Sequence, residues 1–477
     1  MTRLSQLGRT SSWSGVRALV TGLGRSGFAA ADTLVQLGAS VTVVDERDED
    51  DMRDKAHLLR MLGGDVRLGE TPDDVVADIA ADVDVIVTSP GWRPDTPILA
   101  SARVPVWSEV ELAWRLRGDE AWLVVTGTNG KTTTVQMLEA MLTADGARAA
   151  AVGNVGRPVV EAIMDPQPYD VLAVELSSFQ LHWTASVAAD SAAVLNVAPD
   201  HLDWHGSYEA YTRAKGSAFQ GCKTACVYNV QDPLTEDLVR AADVAEGCRA
   251  IGFTLDIPAP GMLGVVDGVL ADRAFVPERS SSAAELARIE DLVSDAPHLV
   301  ANALAAAALA RSWGVSVRAV RDGLRRFTPD SHRITTVGQH GDVTWVDDSK
   351  ATNTHAAGAS LSAFPSVVWI AGGLAKGAQF DDVVRGAADR LRGVVLIGRD
   401  RHVIADALRR HAPHVPTVTV ETRHTDLMDD VVEAARDLAE PGDTVLLAPG
   451  CASMDQFVDY GARGDEFARS VRRILDQ

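Results

Sequence analysis

The segment from Val125 to Thr133, Val-Thr-Gly-Thr-Asn-Gly-Lys-Thr-Thr, joins an apolar stretch to a helical pattern. A glycine-rich turn in that position offers backbone N–H groups to phosphates, and its lysine reaches the β and γ phosphates of a nucleotide. Only two residues separate the two glycines, so the loop is shorter than the usual GxxxxGK spacing. We expect Lys131 to contact phosphate and the Thr132 hydroxyl to face Mg²⁺. The residues expected at ATP in this loop are Gly127, Thr128, Asn129, Gly130, Lys131, Thr132 and Thr133.

Two further polar stretches follow apolar, strand-like runs. Glu175 comes directly after Val171–Val174, where an acidic residue is a candidate Mg²⁺ ligand or a cap for the next helix. His201 lies in the stretch Asn-Val-Ala-Pro-Asp-His-Leu-Asp-Trp-His, residues 196–205. Near a carboxylate and a phosphate-binding loop, a histidine can ligate a cation. The same stretch also fits a plain hydrophilic loop.

Lysine is scarce in this chain, which has six lysines and 39 arginines. Lysine offers a compact amine that can be neutralised or modified, whereas arginine does not. Lys215 lies downstream of the His/Asp stretch, and an ammonium beside two metal ions would be repelled. It would have to be neutral, displaced or converted by CO₂ to an anionic carbamate. From the residues alone, we expect an ordinary exposed lysine.

A second glycine-rich turn, Gly-Leu-Gly-Arg-Ser-Gly at residues 22–27, follows a short apolar run near the start of the chain. Asp45 ends the next apolar run, as in the fingerprint of NAD-binding proteins, where the acid contacts a ribose hydroxyl. The turn itself requires only a diphosphate at a helix N-terminus, and UDP supplies one. A merely tight turn is the remaining alternative.

Three polar loops follow strand-like runs in the last third of the chain. They begin at Asp347, Gly372 and Pro449. Loops at the carboxyl ends of strands in one parallel sheet are placed to form one site. They contribute a set suited to an amino-acid carboxylate, namely Lys350, Thr352, Lys376 and Ser453.

Composition limits the possible functions. The chain has 477 residues, 46% of them hydrophobic, and a net charge of −21, which disfavours coating nucleic acid or an anionic membrane. Four cysteines without a CxxC pair indicate reduced bystanders in a cytoplasmic protein. We find no signal peptide or membrane-length apolar run, and the stretch 299–310 fits a buried helix.

Alternation of strand-like and helix-like stretches predicts an α/β protein of three domains. We expect a Rossmann-like domain over residues 1–112, a central P-loop ATPase-like domain with a mostly parallel sheet over 113–330, and a Rossmann-like domain over 331–477. The strands are expected at 16–21, 40–45, 83–87, 123–126, 171–174, 192–197, 343–346, 367–370, 394–397 and 444–447. The main helices are expected at 298–313, in the segment that follows it and ends at 327, and at 457–475.

Together these motifs resemble the Mur ligase family over essentially the whole chain. The family contains the cytoplasmic ligases that build the peptide of peptidoglycan, with the folylpolyglutamate synthases as relatives. Members that add L-alanine, a diamino acid or a dipeptide carry different residues at the ELSSFQL and DSKATN positions, so the resemblance favours a D-glutamate-adding member. The motifs are GLGRSG, TGTNGKTT, ELSSFQL, DHLDWH, DSKATN and APGCASMDQF.

The resemblance implies a role for each matching residue. It implies catalytic and metal-site roles for Lys131, Thr132, Glu175, His201 and Lys215, the last as a carbamate. Besides the loop, it places Asn302, Arg333 and Asp348 at ATP. It places Leu23, Gly24, Arg25, Ser26, Asp45, Glu46, Arg47, Ser89, Pro90, Gly91 and Asn154 at the UDP substrate. It places Lys350, Thr352, Lys376, Ser453, Met454 and Tyr460 at D-glutamate. Leu299 replaces an asparagine that family members often carry before the long helix, so one adenine contact is missing.

The implied activity is ATP-dependent addition of D-glutamate to UDP-N-acetylmuramoyl-L-alanine through an acyl phosphate, with Mg²⁺, two ions being expected. The implied protein is a cytoplasmic monomer that takes part in cell-wall synthesis. Another amide ligase of this family or of the folylpolyglutamate type is the nearest alternative. An NAD-dependent dehydrogenase would explain the first turn but not the P-loop, and an inactive nucleotide-binding scaffold would leave the motif set unexplained.

Overall fold

Three β-sheets follow one another along the chain, each with its own helices. The computed structural model describes residues 3–70, 82–421 and 427–475. The first two sheets lie in one compact unit and the third in another. The expected three-domain α/β class is confirmed. Among the described residues, no helix combines the length and apolar character needed to cross a membrane.

The first sheet is parallel, with the order β3-β2-β1-β4-β5 in the described part of the chain. Because β1 is the central strand, the glycine turn that follows it lies at the middle of the carboxyl edge of the sheet. A 3₁₀ turn, Arg3–Gln6, precedes it. The elements are β1 (Arg17–Thr21), α1 (Arg25–Gln36), β2 (Ser40–Asp45), α2 (Asp50–Met61), β3 (Asp65–Leu68), β4 (Val85–Thr88), α3 (Pro97–Ala100), β5 (Val106–Ser108) and α4 (Glu109–Leu116).

The second sheet has the described order β14-β13-β12-β11-β10-β9-β6-β8-β7. It is parallel from β7 to β12 and ends in the antiparallel strands β13 and β14. Its strands are β6 (Ala121–Thr126), β7 (Ala149–Gly153), β8 (Val171–Glu175), β9 (Ser191–Val194), β10 (Ala225–Asn229), β11 (Arg249–Phe253), β12 (Met262–Val266), β13 (Val269–Asp272) and β14 (Ala284–Arg288). Its helices are α5 (Lys131–Ala144), α6 (Val159–Ile163), α7 (Ser178–His182), α8 (Leu202–His205), α9 (Tyr208–Gly216), α10 (Pro233–Ala241), α11 (Pro297–Trp313) and α12 (Val317–Arg326), with 3₁₀ turns Ser217–Phe219 and Ile289–Asp291.

The third sheet has the described order β15-β16-β20-β17-β18-β19, parallel except for β15. Its strands are β15 (Thr335–His340), β16 (Val343–Asp347), β17 (Val367–Gly372), β18 (Leu391–Ile397), β19 (Thr417–Thr419) and β20 (Thr444–Leu447). Its helices are α13 (Thr354–Ser362), α14 (Asp381–Ala387), α15 (Arg401–His411), α16 (Leu427–Leu438) and α17 (Tyr460–Leu475), with a 3₁₀ turn Ala388–Arg390.

The apolar run of β17 explains why this sheet is covered on both faces. Successive side chains of a strand point to opposite faces. Val367 and Trp369 belong to one buried cluster, whereas Val368 and Ile370 belong to the other. A strand that buries both faces reads as a continuous hydrophobic run, as this one does.

Most predicted elements are present, with three informative differences. The strand expected at 192–197 ends at Val194; beyond it, the Leu195 N–H donates to the carbonyl of Thr126, the last residue of β6, and the Asn196 carbonyl accepts from the Thr128 N–H of the glycine loop. The last helix begins at Tyr460 and not at Phe457. The antiparallel strands at the end of the second sheet were not predicted.

Candidate nucleotide site and substrate loops

The loop between β6 and α5 has the conformation of a phosphate-binding turn. Gly127 and Gly130 adopt φ angles of 156° and 85°, which a side chain would strain. The Lys131 ammonium donates to the carbonyl oxygens of Gly127, at 2.8 Å, and Thr128, at 2.9 Å. Its charge is therefore held beside the N-terminus of α5, where backbone N–H groups favour an anion.

Neighbouring segments hold this loop in shape. The Asn129 N–H donates to the Asn196 side-chain oxygen at 2.9 Å, and the Asn196 amide donates back to the Asn129 carbonyl at 3.2 Å. The Thr128 hydroxyl accepts from the Ala198 N–H at 2.9 Å and lies 2.9 Å from the Tyr211 hydroxyl. The stretch after β9 thus fixes the phosphate loop, so it is more than a hydrophilic surface loop.

Glu175 is a buried carboxylate on the strand next to β6, which leads into this loop. It ends β8, which pairs with β6 so that Glu175 lies opposite Val125. The side chain is 1% exposed; Oε1 accepts from the Asn154 amide at 2.8 Å, and Oε2 has no hydrogen-bond partner among the described residues. A buried carboxylate oxygen without a partner is costly unless a ligand completes it. Helix capping does not explain it, because Ser177 caps α7.

These groups fit a hard divalent cation. Thr132 lies in the first turn of α5 and offers a hydroxyl oxygen, and Glu175 offers an oxygen that no described residue hydrogen-bonds. His201 precedes α8 with a φ of 52°, and its ring lies 4.7 Å from that of Phe179, in the helix that follows Glu175. The contact places the histidine at the same edge of the sheet as the carboxylate.

Lys215 is not an exposed lysine, so that expectation was wrong. It is 2% exposed, and its Nζ donates to the Gly127 carbonyl at 2.8 Å. Burial, reinforced by the charge of Lys131, holds the pKa of Lys215 well below its usual value. The reason is helical register: Tyr211, Ala214 and Lys215 share the buried face of α9. The amine therefore touches the phosphate loop itself.

The first glycine turn closes on the carboxylate of the neighbouring strand. The Leu23 N–H donates to Asp45 Oδ2 at 2.7 Å, and the Arg47 backbone and guanidinium donate to both Asp45 oxygens at 3.0–3.1 Å. Burial opposes ionisation of Asp45, but the hydrogen bonds from Arg47 and Leu23 win and lower its pKa. A side chain at position 27 would collide with the Gly22 carbonyl, so only glycine at this position lets the start of α1 pack against the turn.

The other residues expected at UDP lie around this turn. Ser89 follows β4, adjacent to β1, and its hydroxyl donates to the Gly22 carbonyl at 3.2 Å. Arg25 is exposed at the start of α1. The neighbouring residues of this set are Gly24, Ser26, Glu46, Pro90 and Gly91. Asn154, in contrast, ends up at Glu175 in the second sheet.

The three C-terminal loops follow β16, β17 and β20, which are adjacent strands. Their backbones join one another: Gly450 N–H donates to the Ala351 carbonyl at 2.8 Å, and Leu374 and Ala452 exchange backbone hydrogen bonds of 2.8 and 3.0 Å. The expectation that they meet at one edge is confirmed. The side chains expected at D-glutamate in these loops and the following helix are Lys350, Thr352, Lys376, Ser453, Met454 and Tyr460.

Lysine and tyrosine meet in this cluster. The Lys350 ammonium lies 3.7 Å from the centre of the Tyr460 ring, which is a cation–π contact. Lys376 is exposed with a φ of 51°, and Ser453 is 2% exposed. The loops thus carry two ammonium groups, and two positive charges can pair with a dicarboxylate.

The remaining residues expected at ATP lie in different environments. Asn302, on α11, is buried against Gly130, where a side chain would collide with its amide. Asp348 is held by the Ser360 hydroxyl and by the Ile334 N–H at 3.3 Å, and burial raises its pKa to about 6. The charge of Arg333 acts in the opposite direction. Their roles at ATP stay predictions.

Arg463 is a residue that the motifs did not reveal. It is 1% exposed, and its guanidinium donates to the Ser349 hydroxyl at 2.9 Å, the Ser349 carbonyl at 2.8 Å and the Cys451 carbonyl at 3.2 Å. It thereby ties two of the three loops together. The available signal was its spacing with Phe467, Val471 and Ile474 on one face of α17.

The chain has three α/β domains, and one of them carries a P-loop. Beside this loop lies Glu175, whose Oε2 has no hydrogen-bond partner among the described residues. This combination defines a nucleotide-dependent enzyme. Three family models match the chain: Mur ligase MurD-like N-terminal domain at residues 16–107, Mur ligase middle domain at 125–310, and Mur ligase glutamate ligase domain at 332–451. The chain belongs to the Mur ligase family and is an ATP-dependent ligase. This assignment leaves the dehydrogenase alternative without support.

Curated relatives match nearly the full length. UDP-N-acetylmuramoylalanine--D-glutamate ligase from Streptomyces avermitilis is 59% identical over 469 residues, covering 97% of this chain and 99% of the relative. The protein of the same name from Mycolicibacterium smegmatis is 46% identical over 500 residues, covering 97% of each chain.

Solved structures share the fold at low sequence identity. The MurF ligase from Thermotoga maritima in complex with ADP is 17% identical with a TM-score of 0.56, covering 100% of this chain and 99% of its own. UDP-N-acetylmuramate-alanine ligase from the same organism is 19% identical with a TM-score of 0.55, covering 97% and 99%. These matches support the three-domain architecture.

Proposed function

We propose that this protein joins D-glutamate to UDP-N-acetylmuramoyl-L-alanine at the expense of ATP, giving ADP and phosphate. The observation that carries the proposal is the near-full-length identity, up to 59%, with relatives that bear the name of this ligase. The phosphate loop and the three joined C-terminal loops supply the chemistry that such a reaction needs.

The reaction requires activation of a carboxylate, because a carboxylate and an amine form a salt and not an amide. A carboxylate oxygen of the UDP substrate attacks the γ-phosphorus of ATP, and ADP leaves. The amine of D-glutamate then attacks the acyl carbon, loses a proton, and phosphate departs with the carboxylate oxygen. Mg²⁺ bound at Thr132 and Glu175, with His201 near a second ion, would offset charge on the phosphates. Lys131 would offset the charge that develops on the transferred group.

Each predicted set of residues has a part in this proposal. The first domain would hold UDP at the turn containing Leu23 and Arg25. The P-loop residues, Asn302, Arg333 and Asp348 would hold ATP. Lys350, Thr352, Lys376 and Ser453 would hold D-glutamate, with Met454 and Tyr460 beside it. The proposed domains are residues 1–112, 113–330 and 331–477, although residue 112 falls within α4. We also propose a monomer that works in the cytoplasm.

Lys215 would act as a carbamate. Its buried amine has a strongly lowered pKa, and a neutral amine is the form that attacks CO₂. The N–C bond forms, one amine proton leaves, and the product is an anion. A carbamate beside the phosphate loop would attract a divalent cation, whereas an ammonium would repel it. The hydrogen bond of the unmodified amine to the Gly127 carbonyl supports this proposal, because a carbamate formed on that amine would lie beside the loop.

The test of the function is phosphate release from ATP with UDP-N-acetylmuramoyl-L-alanine and one amino acid at a time. We expect release with D-glutamate and little with L-glutamate, L-alanine, meso-diaminopimelate or D-alanyl-D-alanine. Release with a different amino acid would assign the chain to another member of the family. Tight NADH binding without ATP turnover would overturn the ligase proposal.

A further inference from the structure

Three of the four cysteines meet in the central domain, although the sequence suggested bystanders. Their sulfur atoms all lie within 4.8 Å of one another, and Cys226 Sγ lies 3.8 Å from Cys248 Sγ. Cys222 and Cys226 are fully buried, and Cys248 is half-buried. Cys222 Sγ also lies 3.2 Å from the Ala225 carbonyl oxygen and 3.8 Å from that of Asp190.

Strand pairing brings these residues together. β10 and β11 are parallel neighbours with Cys226 opposite Ala250, so Cys248, two residues earlier, projects to the same face of the sheet. The Ala245 N–H donates to the Cys222 carbonyl, and the Cys248 N–H donates to the Ala245 carbonyl, both at 3.0 Å. The turns before β10 and β11 are therefore fastened to each other, which pre-positions the three sulfurs.

We propose that Cys222, Cys226 and Cys248 bind one soft, thiophilic metal ion of the Zn²⁺ or Cu(I) class. Thiolate ligands select such ions over Mg²⁺. Three sulfurs at about 2.3 Å from one ion are separated by roughly 4 Å, close to the separation observed here. Binding releases the thiol protons to solvent.

This site is separate from the phosphate loop. The loop follows the carboxyl end of β6, whereas the cysteines lie at the amino ends of β10 and β11. Because β6, β9, β10 and β11 are parallel, the two sites lie at opposite edges of the sheet. The half-buried Cys248 gives the ion a route from solvent.

The experiment uses the full-length protein, reduced and freed of metal by a chelator under argon. We titrate Cd²⁺ and follow the ultraviolet charge-transfer band of sulfur–cadmium bonds. We expect one equivalent to bind. Zn²⁺ and Cu(I) are then added separately, and displacement of Cd²⁺ by either supports the proposal and identifies the preferred ion.

Three variants make the test specific. Cys248→Ser and Cys226→Ala are expected to lose the band while retaining ATP-dependent ligation, which verifies that they fold. The matched control, Cys451→Ser, removes a buried thiol of the other compact unit and should keep the full band. No band with stoichiometric Cd²⁺, or a band unchanged in Cys248→Ser and Cys226→Ala, would overturn the proposal. A loss of two free thiols, which would show a disulfide in place of a metal site, would also overturn the proposal.

Discussion

The two glycine turns of this protein share the same arrangement of strand, turn, helix and neighbouring carboxylate. They differ in how fully that carboxylate is hydrogen-bonded. Each follows a strand, begins a helix and has a carboxylate at the end of a neighbouring strand: Asp45 on β2 and Glu175 on β8. Both carboxylates are buried. Asp45 has hydrogen-bond donors on both oxygens, whereas no residue in the described part of the chain donates to Glu175 Oε2.

The difference separates a carboxylate that holds the protein together from one that is ready for a ligand. Asp45 fixes the Leu23 turn through donors that the chain itself supplies. Among the described residues, Glu175 keeps an oxygen without a partner, and it lies beside the phosphate loop that contains Lys131 and that the Lys215 amine contacts from α9. Since a buried unsatisfied carboxylate destabilises the fold, its presence is best explained by binding.

The largest effect is expected for Lys131→Ala. The variant removes the charge that would meet the transferring phosphoryl group, so turnover should fall on the order of 10³-fold. Thermal unfolding should change little, because the hydrogen bonds that fasten the loop to Asn196 and Ala198 do not involve the Lys131 side chain. Steady-state phosphate release at saturating ATP measures the effect. Near-normal turnover would remove Lys131 from the mechanism.

Lys215 variants test whether the buried amine acts as a carbamate. Lys215→Arg keeps a positive charge but cannot form this anion, so it should be as inactive as Lys215→Ala. Lys215→Glu supplies a carboxylate and should retain a trace of turnover. Phosphate release is measured for all three with and without bicarbonate. A fully active arginine variant together with an unmodified lysine in a crystal structure would exclude the carbamate.

A matched pair of amide substitutions tests the comparison of the two turns. Glu175→Gln should lower turnover by about 100-fold or more and leave the unfolding midpoint equal or higher, because it removes a buried charge without a full set of partners. Asp45→Asn should lower the free energy of unfolding by about 2 kcal/mol, because it weakens charge-assisted hydrogen bonds, and leave kcat within a few-fold. The reverse pattern would contradict the distinction.

The smallest effect concerns pH and the carboxyl of Glu109. Burial raises its pKa to about 7 from 4.5, while its Oε1 accepts from the Val160 N–H at 2.6 Å. The folded state therefore binds more protons than the unfolded state between pH 4.5 and 7, and stability falls as pH rises through this range. The loss amounts to at most roughly 3 kcal/mol.

Glu109→Gln should remove this pH dependence, because its amide cannot ionise. Chemical denaturation at pH 5, 6, 7 and 8 would show a flatter profile for the variant than for the wild type. Replacement of the exposed Glu246 by Gln serves as a control and should keep the wild-type slope. Equal slopes for Glu109→Gln and wild type would contradict the assignment.

Local sequence patterns predicted the phosphate loop and the three C-terminal loops well. Their chemistry lies in contiguous residues between a strand and a helix, so spacing alone carries the signal. The alternating elements predicted one parallel sheet with these loops at the carboxyl ends of its strands, and the structure bears this out. The adjacency of the three strands was not predicted.

Contacts between distant residues could not be predicted in this way. Lys215 reaches Gly127 across 88 residues, and its burial depends on how α9 packs. The cysteine cluster needs the register of β10 with β11, and the clamp formed by Arg463 needs the docking of α17. These contacts depend on tertiary packing, which local sequence patterns do not specify.

The most direct test of the account is oxygen transfer. UDP-N-acetylmuramoyl-L-alanine is labelled with ¹⁸O in its free carboxylate and incubated with ATP, D-glutamate and the enzyme, and the phosphate is analysed by mass spectrometry. An acyl phosphate intermediate requires one carboxylate oxygen to leave with phosphate, so we predict one ¹⁸O atom in each phosphate released. Amide formation with unlabelled phosphate would contradict the mechanism.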